Sequence, residues 1–220
     1  MSAGADAGPK AKSTLTIAIP KGRVTRPLVE LFSRAGIDAG VLLADDRRLV
    51  REAAGLRFLL LKPDDVPTYV EYGVADLGVS GRDVLLERRY ELYQPLDLGV
   101  GRCRMVVAGR RGGSAPAAPR VATKYPRITA EHFAARGVQA EVIYVQGSVE
   151  LAPLVGLSDL IVDLVETGTT LTENDLEERE LIVNVSSVLV ANRAQYKLRH
   201  GDVQPLVERL RRAVAASNGR

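Results

Sequence analysis

Leu96–Ala108, LDLGVGRCRMVVA, and Leu181–Ala191, LIVNVSSVLVA, decide how this 220-residue chain is read. In the first stretch apolar residues run almost without a break, which predicts a strand that crosses from one lobe to another. The second alternates poorly and is mostly apolar, the pattern of a strand buried on both faces. It returns the chain to the lobe in which it began. Two crossings make a natural hinge, so the expected division is an interrupted lobe I of residues 14–100 plus 181–220, and an inserted lobe II of residues 101–180.

Outward from the first crossing, short apolar runs alternate with helical patterns, the layout of an α/β protein. Leu15–Ile19 reads as a buried strand and Pro20-Lys21-Gly22-Arg23 as the basic turn that follows it. Val24, Leu28, Leu31, Phe32 and Ala35 then recur at three- and four-residue spacing along a helix that Gly36 stops. Leu56–Leu61 and a helix opened by Pro63-Asp64-Asp65 repeat the pattern. Leu77–Val79 runs into the turn Ser80-Gly81-Arg82-Asp83. Beyond the crossing, Arg110–Pro119 is rich in Gly, Ala and Pro and reads as a surface loop. Lobe II is expected to hold strands at Val121-Ala122, Glu141–Val145 and Leu160–Val165, with a helix near Ile128–Arg136. A terminal helix over Asp202–Ala216 puts Val203, Leu206, Leu210 and Val214 on one face.

Composition limits the function classes. The chain is 46% hydrophobic and 26% charged, which excludes disordered, collagen-like and disulfide-scaffold proteins. Thirty Lys and Arg stand against twenty-seven Asp and Glu, and the two signs are interleaved. That small basic excess fits a small anionic ligand and not a nucleic acid. The lone Cys103 cannot form an internal disulfide, and no apolar run is long enough to span a bilayer, so a cytoplasmic protein is expected. Residues 1–13 are small and polar and read as a flexible tail.

The chemistry concentrates in Asp163–Leu171, DLVETGTTL. A buried strand that ends in an acid and runs into Thr167-Gly168-Thr169-Thr170 is what a phosphate or pyrophosphate site requires. Gly168 admits a close backbone approach, backbone N–H groups and hydroxyls converge, and a helix beginning near Leu171 would add its dipole. Asp163 or Glu166 could hold a sugar hydroxyl or a hydrated Mg²⁺. Gly and Thr that merely cap the next helix would look the same from this loop alone.

The longer segment from Glu150 to Leu171, ELAPLVGLSDLIVDLVETGTTL, resembles the signature of the ATP phosphoribosyltransferases of histidine biosynthesis. LTIAIPKGRV, LLLKPDDVPTYVEYGVADLGVSGRDVL, DLGVGRCRMVVAG, VATKYP and VQGSVELAPL are similar to that family in the same order. The resemblance implies two α/β lobes like a type II periplasmic solute-binding protein, with the ligands in the cleft between them. It implies condensation of ATP with 5-phosphoribosyl 1-pyrophosphate, with Mg²⁺ carried on substrate phosphates and no firm protein ligand. By matching position, Asp163, Glu166, Thr167, Gly168, Thr169 and Thr170 would bind phosphoribosyl pyrophosphate. Lys21, Gly22, Arg23, Asp76, Ser80 and Gly81 would line the ATP side, along with Gly78 and Asp83. Lys62 and Arg47 would serve catalysis. Thr123, Lys124 and Tyr125 are either substrate contacts or surface loop. His132 and His200 read as ordinary packing or surface residues.

The resemblance further implies a short form without a C-terminal regulatory domain. Such a form works with a partner related to the catalytic core of histidyl-tRNA synthetases, in a hetero-octamer. Two other readings share parts of the pattern. A two-lobed solute-binding or sensor protein would not need the phosphate loop, and other phosphoribosyltransferases usually place two adjacent acids before it, where this chain has Asp163 followed by Leu164.

Overall fold

A computed structural model describes residues 14–218, so the expected tail at 1–13 lies outside the described residues. Nine strands form one continuous mixed sheet in the order β2-β3-β1-β4-β9-β5-β8-β6-β7. They are β1 (Leu15–Pro20), β2 (Val50–Ala53), β3 (Leu56–Leu61), β4 (Leu77–Gly81), β5 (Tyr93–Arg110), β6 (Arg120–Thr123), β7 (Glu141–Tyr144), β8 (Leu160–Val165) and β9 (Leu176–Ala191). The helices are α1 (Thr25–Arg34), α2 (Val66–Glu71), α3 (Arg82–Arg88), α4 (Pro126–Ala134), α5 (Leu151–Leu154), α6 (Thr169–Glu173), α7 (Arg193–Leu198) and α8 (His200–Asn218).

β1, β3 and β4 run parallel in one half of the sheet, as do β6, β7 and β8 in the other. The antiparallel pair β5 and β9 joins the halves. Both are longer than their apolar runs suggest, at 18 and 16 residues, with β9 pairing also with β4 and β5 also with β8. β9 starts at Leu176, five residues before the apolar stretch, because the charged segment Glu177–Glu180 also pairs with β5, at Val107–Gly109. Only Ser187–Ala191 is buried without a break. The segment 96–108, expected to be a crossing, lies within β5 and is irregular. The register slips between Asp97 and Val100 and again before Cys103, while Gly99 and Gly101 adopt φ of +65° and +64°. These bulges bend and twist the strand between the halves.

Side-chain alternation along β5 divides the core of the second half. Met105 and Val107 join Tyr125, Ile128 and Phe133 under α4, while Val106 and Ala108 join Ala152, Leu171 and Leu176 on the opposite face. In the first half, α1 and α8 cover one face, with Leu28, Phe32, Val203 and Leu210 packed on Ile17, Phe58 and Leu189. α2 and α3 cover the other through Val66, Val70 and Leu85. Each half is thus a helix–sheet–helix sandwich. The pair resembles the two lobes of a type II periplasmic solute-binding protein. Sequence periodicity did not reveal β2 or α7, which are four and six residues long. No described helix is long and apolar enough to cross a membrane.

Candidate active site

In a parallel sheet, ligands collect beyond the carboxyl ends of the strands, where helix N-termini and free loops converge. Here the carboxyl ends of β1, β3 and β4 lead to Lys21, Lys62 and Arg82, and those of β6 and β8 lead to Lys124 and Glu166. Two of the cavities there hold expected site residues. One, of about 270 Å³, is lined from the first half by Lys21, Arg23, Asp64, Gly81 and Asp83, from the crossing strands by Gly101, Cys103 and Ser187, and from the second half by Lys124, Tyr125 and Leu164. The other, of about 250 Å³, is lined by Arg23, Glu150, Asp163, Glu166, Thr167, Gly168 and Thr170.

The second cavity is the DLVETGTTL loop. Gly168 has φ +85°, which an L side chain rarely adopts, and it turns the chain from β8 into α6. The Thr167 and Thr169 hydroxyls lie 3.0 Å apart, and the Thr169 N–H donates to Thr167 Oγ1. Thr167, Thr169 and Thr170 are all exposed, and of the three Thr167 and Thr170 line the cavity while Thr169 does not. The helix starts two residues earlier than Leu171 and spans only five residues, so its dipole adds little to the loop donors. Arg104 on β5 fastens the loop from behind, donating to the Glu166 carbonyl at 3.4 Å and to Glu178 at 2.5 Å. That guanidinium holds Glu178 below the usual carboxylate range.

Asp163 is half-buried on β8, following the buried run Leu160–Val162. Burial, reinforced by the charge of Glu150, pushes its carboxyl up to about 6, although the Leu164 N–H donates to it at 2.7 Å. Desolvation disfavours the anion unless a cation or hydroxyl comes to meet it. Among the described residues, no group of three His, Cys, Asp or Glu side chains is placed to hold a metal ion.

Charged contacts tie the halves across the cleft. Arg23 Nη1 meets Glu166 Oε2 at 2.5 Å, and Lys124 Nζ meets Asp64 at 3.0 Å. The Tyr125 hydroxyl donates to Asp83 Oδ2 at 2.9 Å, and both residues are buried. Burial and the Asp83 charge push the phenol well up, so it remains a donor. Thr123 faces inward and donates to the Val162 carbonyl, so it is framework and not a substrate contact. Cys103 lies 3.7 Å from Arg23, yet burial pushes its thiol up, which keeps it a poor nucleophile.

The expected site residues are not all brought together. Asp163, Glu166, Thr167, Gly168 and Thr170 line one cavity and Lys21, Arg23 and Gly81 the other. Gly22, with φ +116°, makes the turn that presents Lys21 and Arg23. Asp76 is a correction. It precedes β4, at the strand end opposite Gly81, and its carboxylate accepts the Thr16 N–H and the Arg199 guanidinium. Its acid serves the framework, because a five-residue strand separates it from the cleft. Ser80 is also corrected: it is fully buried, its hydroxyl donates to the Gly81 carbonyl, and it does not line the cleft. Gly78 is packed under Val66 and Val70 on the core side.

Lys62 and Arg47 are exposed and sit outside both cavities. The Leu60 N–H donates to the Leu49 carbonyl, which carries the 44–49 loop to the end of β3 where Lys62 begins. His132 is buried against Glu180 and Arg136, as a packing histidine should be. Periodicity gave no signal for Arg104 or Ser187, which reach the site only through strand pairing, while Asp64 comes to it from the turn at Pro63–Asp65 that follows β3.

Comparison with known proteins gives the family. A family model described as "HisG: ATP phosphoribosyltransferase" matches residues 62–212. The ATP phosphoribosyltransferase of Sorangium cellulosum is 64% identical over 92% of this chain and 97% of its own length. The ATP phosphoribosyl transferase (HisG:HisZ) complex from Thermotoga maritima includes a chain with TM-score 0.80 and 38% identity, covering 92% of this chain and 99% of that one. The Bordetella pertussis BvgS VFT2 domain, 15% identical with TM-score 0.59, covers 91% of this chain and 86% of its own and shares the fold alone. On the family model and the extent of these identities, the chain belongs to the ATP phosphoribosyltransferase family.

Proposed function

We propose that this chain condenses ATP with 5-phosphoribosyl 1-pyrophosphate, giving phosphoribosyl-ATP and pyrophosphate, at the first step of histidine biosynthesis. The observation that carries the proposal is the pair of adjoining cavities at the carboxyl ends of both parallel sets, one of them built from the DLVETGTTL loop. Thr167, Gly168, Thr169 and Thr170 receive a phosphate through hydroxyls and backbone N–H groups, and Asp163 takes ribose hydroxyls. Lys21 and Arg23 face the adenine nucleotide. Lys62 and Arg47, exposed outside both cavities, offset charge on the phosphates.

The attacking adenine nitrogen already carries a lone pair, so no strong base is required, in keeping with a cleft that no histidine lines. The residues align two polyanions and stabilise charge developing on the departing pyrophosphate. The carboxylates of the phosphate cavity are hard oxygen donors suited to Mg²⁺, but too few converge to hold it alone, so the ion would arrive on substrate phosphates. When bound there it offsets phosphate charge. Cleft closure between lobes divided near residues 100 and 181 excludes water from the activated sugar.

The same reading places the chain in the cytoplasm, in a hetero-octamer with a partner related to histidyl-tRNA synthetases. The Thermotoga maritima relative, which forms a HisG:HisZ complex, supports such a partner. The test is to mix the chain with ATP, phosphoribosyl pyrophosphate and Mg²⁺, with and without a HisZ-type subunit, and to measure phosphoribosyl-ATP. Folded protein that yields none in either condition overturns the proposal.

A further inference from the structure

Arg23 and Glu166 reach each other from opposite halves of the molecule. Arg23 follows the Gly22 turn after β1, and Glu166 follows the last residue of β8. Their 2.5 Å contact is made by side chains that are each about half exposed, at 54% and 56%. Exposed pairs contribute little to stability and exchange readily.

Two further facts make this pair more than a surface contact. Arg23 is the one charged residue that lines both cavities, sharing that position only with Leu164. Within the phosphate cavity it is also the single cation among the lining residues, where Glu150, Asp163 and Glu166 are three acids. A phosphate entering beside Thr167–Thr170 therefore needs the guanidinium that Glu166 holds. Once the phosphate takes it, Glu166 is left as a like charge beside the ligand and moves away. The carboxylate thus occupies, toward Arg23, the place that a phosphate oxygen would take.

We infer that Glu166 is a positioning residue acting through Arg23: it stations the guanidinium between the two cavities and yields it when phosphoribosyl pyrophosphate binds. The inference rests on the proposed substrate. Holding Arg23 costs affinity for the first polyanion, and its transfer toward the loop alters what the neighbouring cavity offers the second. The two ligands are then coupled, and thermodynamics makes that coupling reciprocal.

The test measures binding of Mg²⁺-pyrophosphate and of Mg²⁺-phosphoribosyl pyrophosphate by calorimetry, for wild type, Glu166→Gln, Arg23→Gln and the double variant. Both positions are exposed, so all four proteins are expected to fold, and a thermal melt checks this. Glu166→Gln should tighten both ligands by about 5-fold, the range set by releasing an exposed ion pair. That gain should disappear in the Arg23→Gln background, while Glu166→Asp should restore wild-type affinity. In turnover, Glu166→Gln should lower KM for phosphoribosyl pyrophosphate more than it changes kcat. Weaker or unchanged binding by Glu166→Gln, or the same gain in both backgrounds, overturns the inference. A wild-type protein that binds neither ligand would instead overturn the functional proposal.

Discussion

Tyr125 and Asp83 form a buried hydrogen bond between the two halves of the molecule, the phenol donating to Oδ2 at 2.9 Å. Asp83 sits in the first turn of α3, and Tyr125 directly precedes α4. The bond therefore sets the separation of two helices that flank the cleft. Tyr125→Phe leaves a buried carboxylate short of a partner, at a cost of about 1–3 kcal/mol. A chemical-denaturation series should show that loss, and Tyr125→Phe with Asp83→Asn should recover part of it.

Glu87 of α3 carries a second link of this kind. Its carboxylate accepts the backbone N–H groups of Arg127 and Ile128 at 2.9 and 3.0 Å, in the first turn of α4, which has no side-chain cap of its own. Glu87→Ala should cost about 1 kcal/mol, the ordinary loss for an N-terminal cap. Faster hydrogen exchange at the Arg127 and Ile128 amides, with little change in α8, is the expected signature.

Asp163 makes stability depend on pH in a stated direction. Its carboxyl titrates at about 6 in the fold against 3.8 unfolded, so the native state holds the extra proton between those values. Stability from this group is full below about pH 4 and is lost as pH rises through 6, by up to about 3 kcal/mol. Asp163→Asn removes that loss. The variant should be more stable than wild type at pH 7.5 and nearly equal to it at pH 4, while binding phosphoribosyl pyrophosphate more weakly. A variant less stable at pH 7.5 would show that the native anion is already well compensated.

Gly168 is required by backbone conformation, not by space. Its φ is +85°, yet an added Cβ would meet nothing closer than Glu178 Oε1 at 3.5 Å. Gly168→Ala should therefore strain the loop by about 1–3 kcal/mol. Equilibrium binding should show roughly ten-fold weaker phosphoribosyl pyrophosphate at the low end of that range, with ATP affinity retained. Equal loss for both ligands would mean that the loop does not serve one subsite.

The sequence pattern made much of the site legible because strand ends and glycine turns are local features. DLVETGTTL and PKGR each lie within ten residues, and each becomes one wall of a cavity. Asp76 was misplaced for the converse reason. ADLGVSG reads as one cleft segment, but it contains a whole strand, and only its far end reaches the ligands. Arg104 and Glu178 gave no local signal, being 74 residues apart and joined only through the β5–β9 pairing.

By itself, the order of apolar runs determined an α/β chain with two long crossing strands, because burial periodicity is written along the chain. Which charges meet is a different matter. Arg23 with Glu166, Lys124 with Asp64 and Tyr125 with Asp83 lie 143, 60 and 42 residues apart. Only the tertiary structure decided these pairs, since ion pairs and buried hydrogen bonds depend on distances of about 3 Å that sequence spacing does not encode.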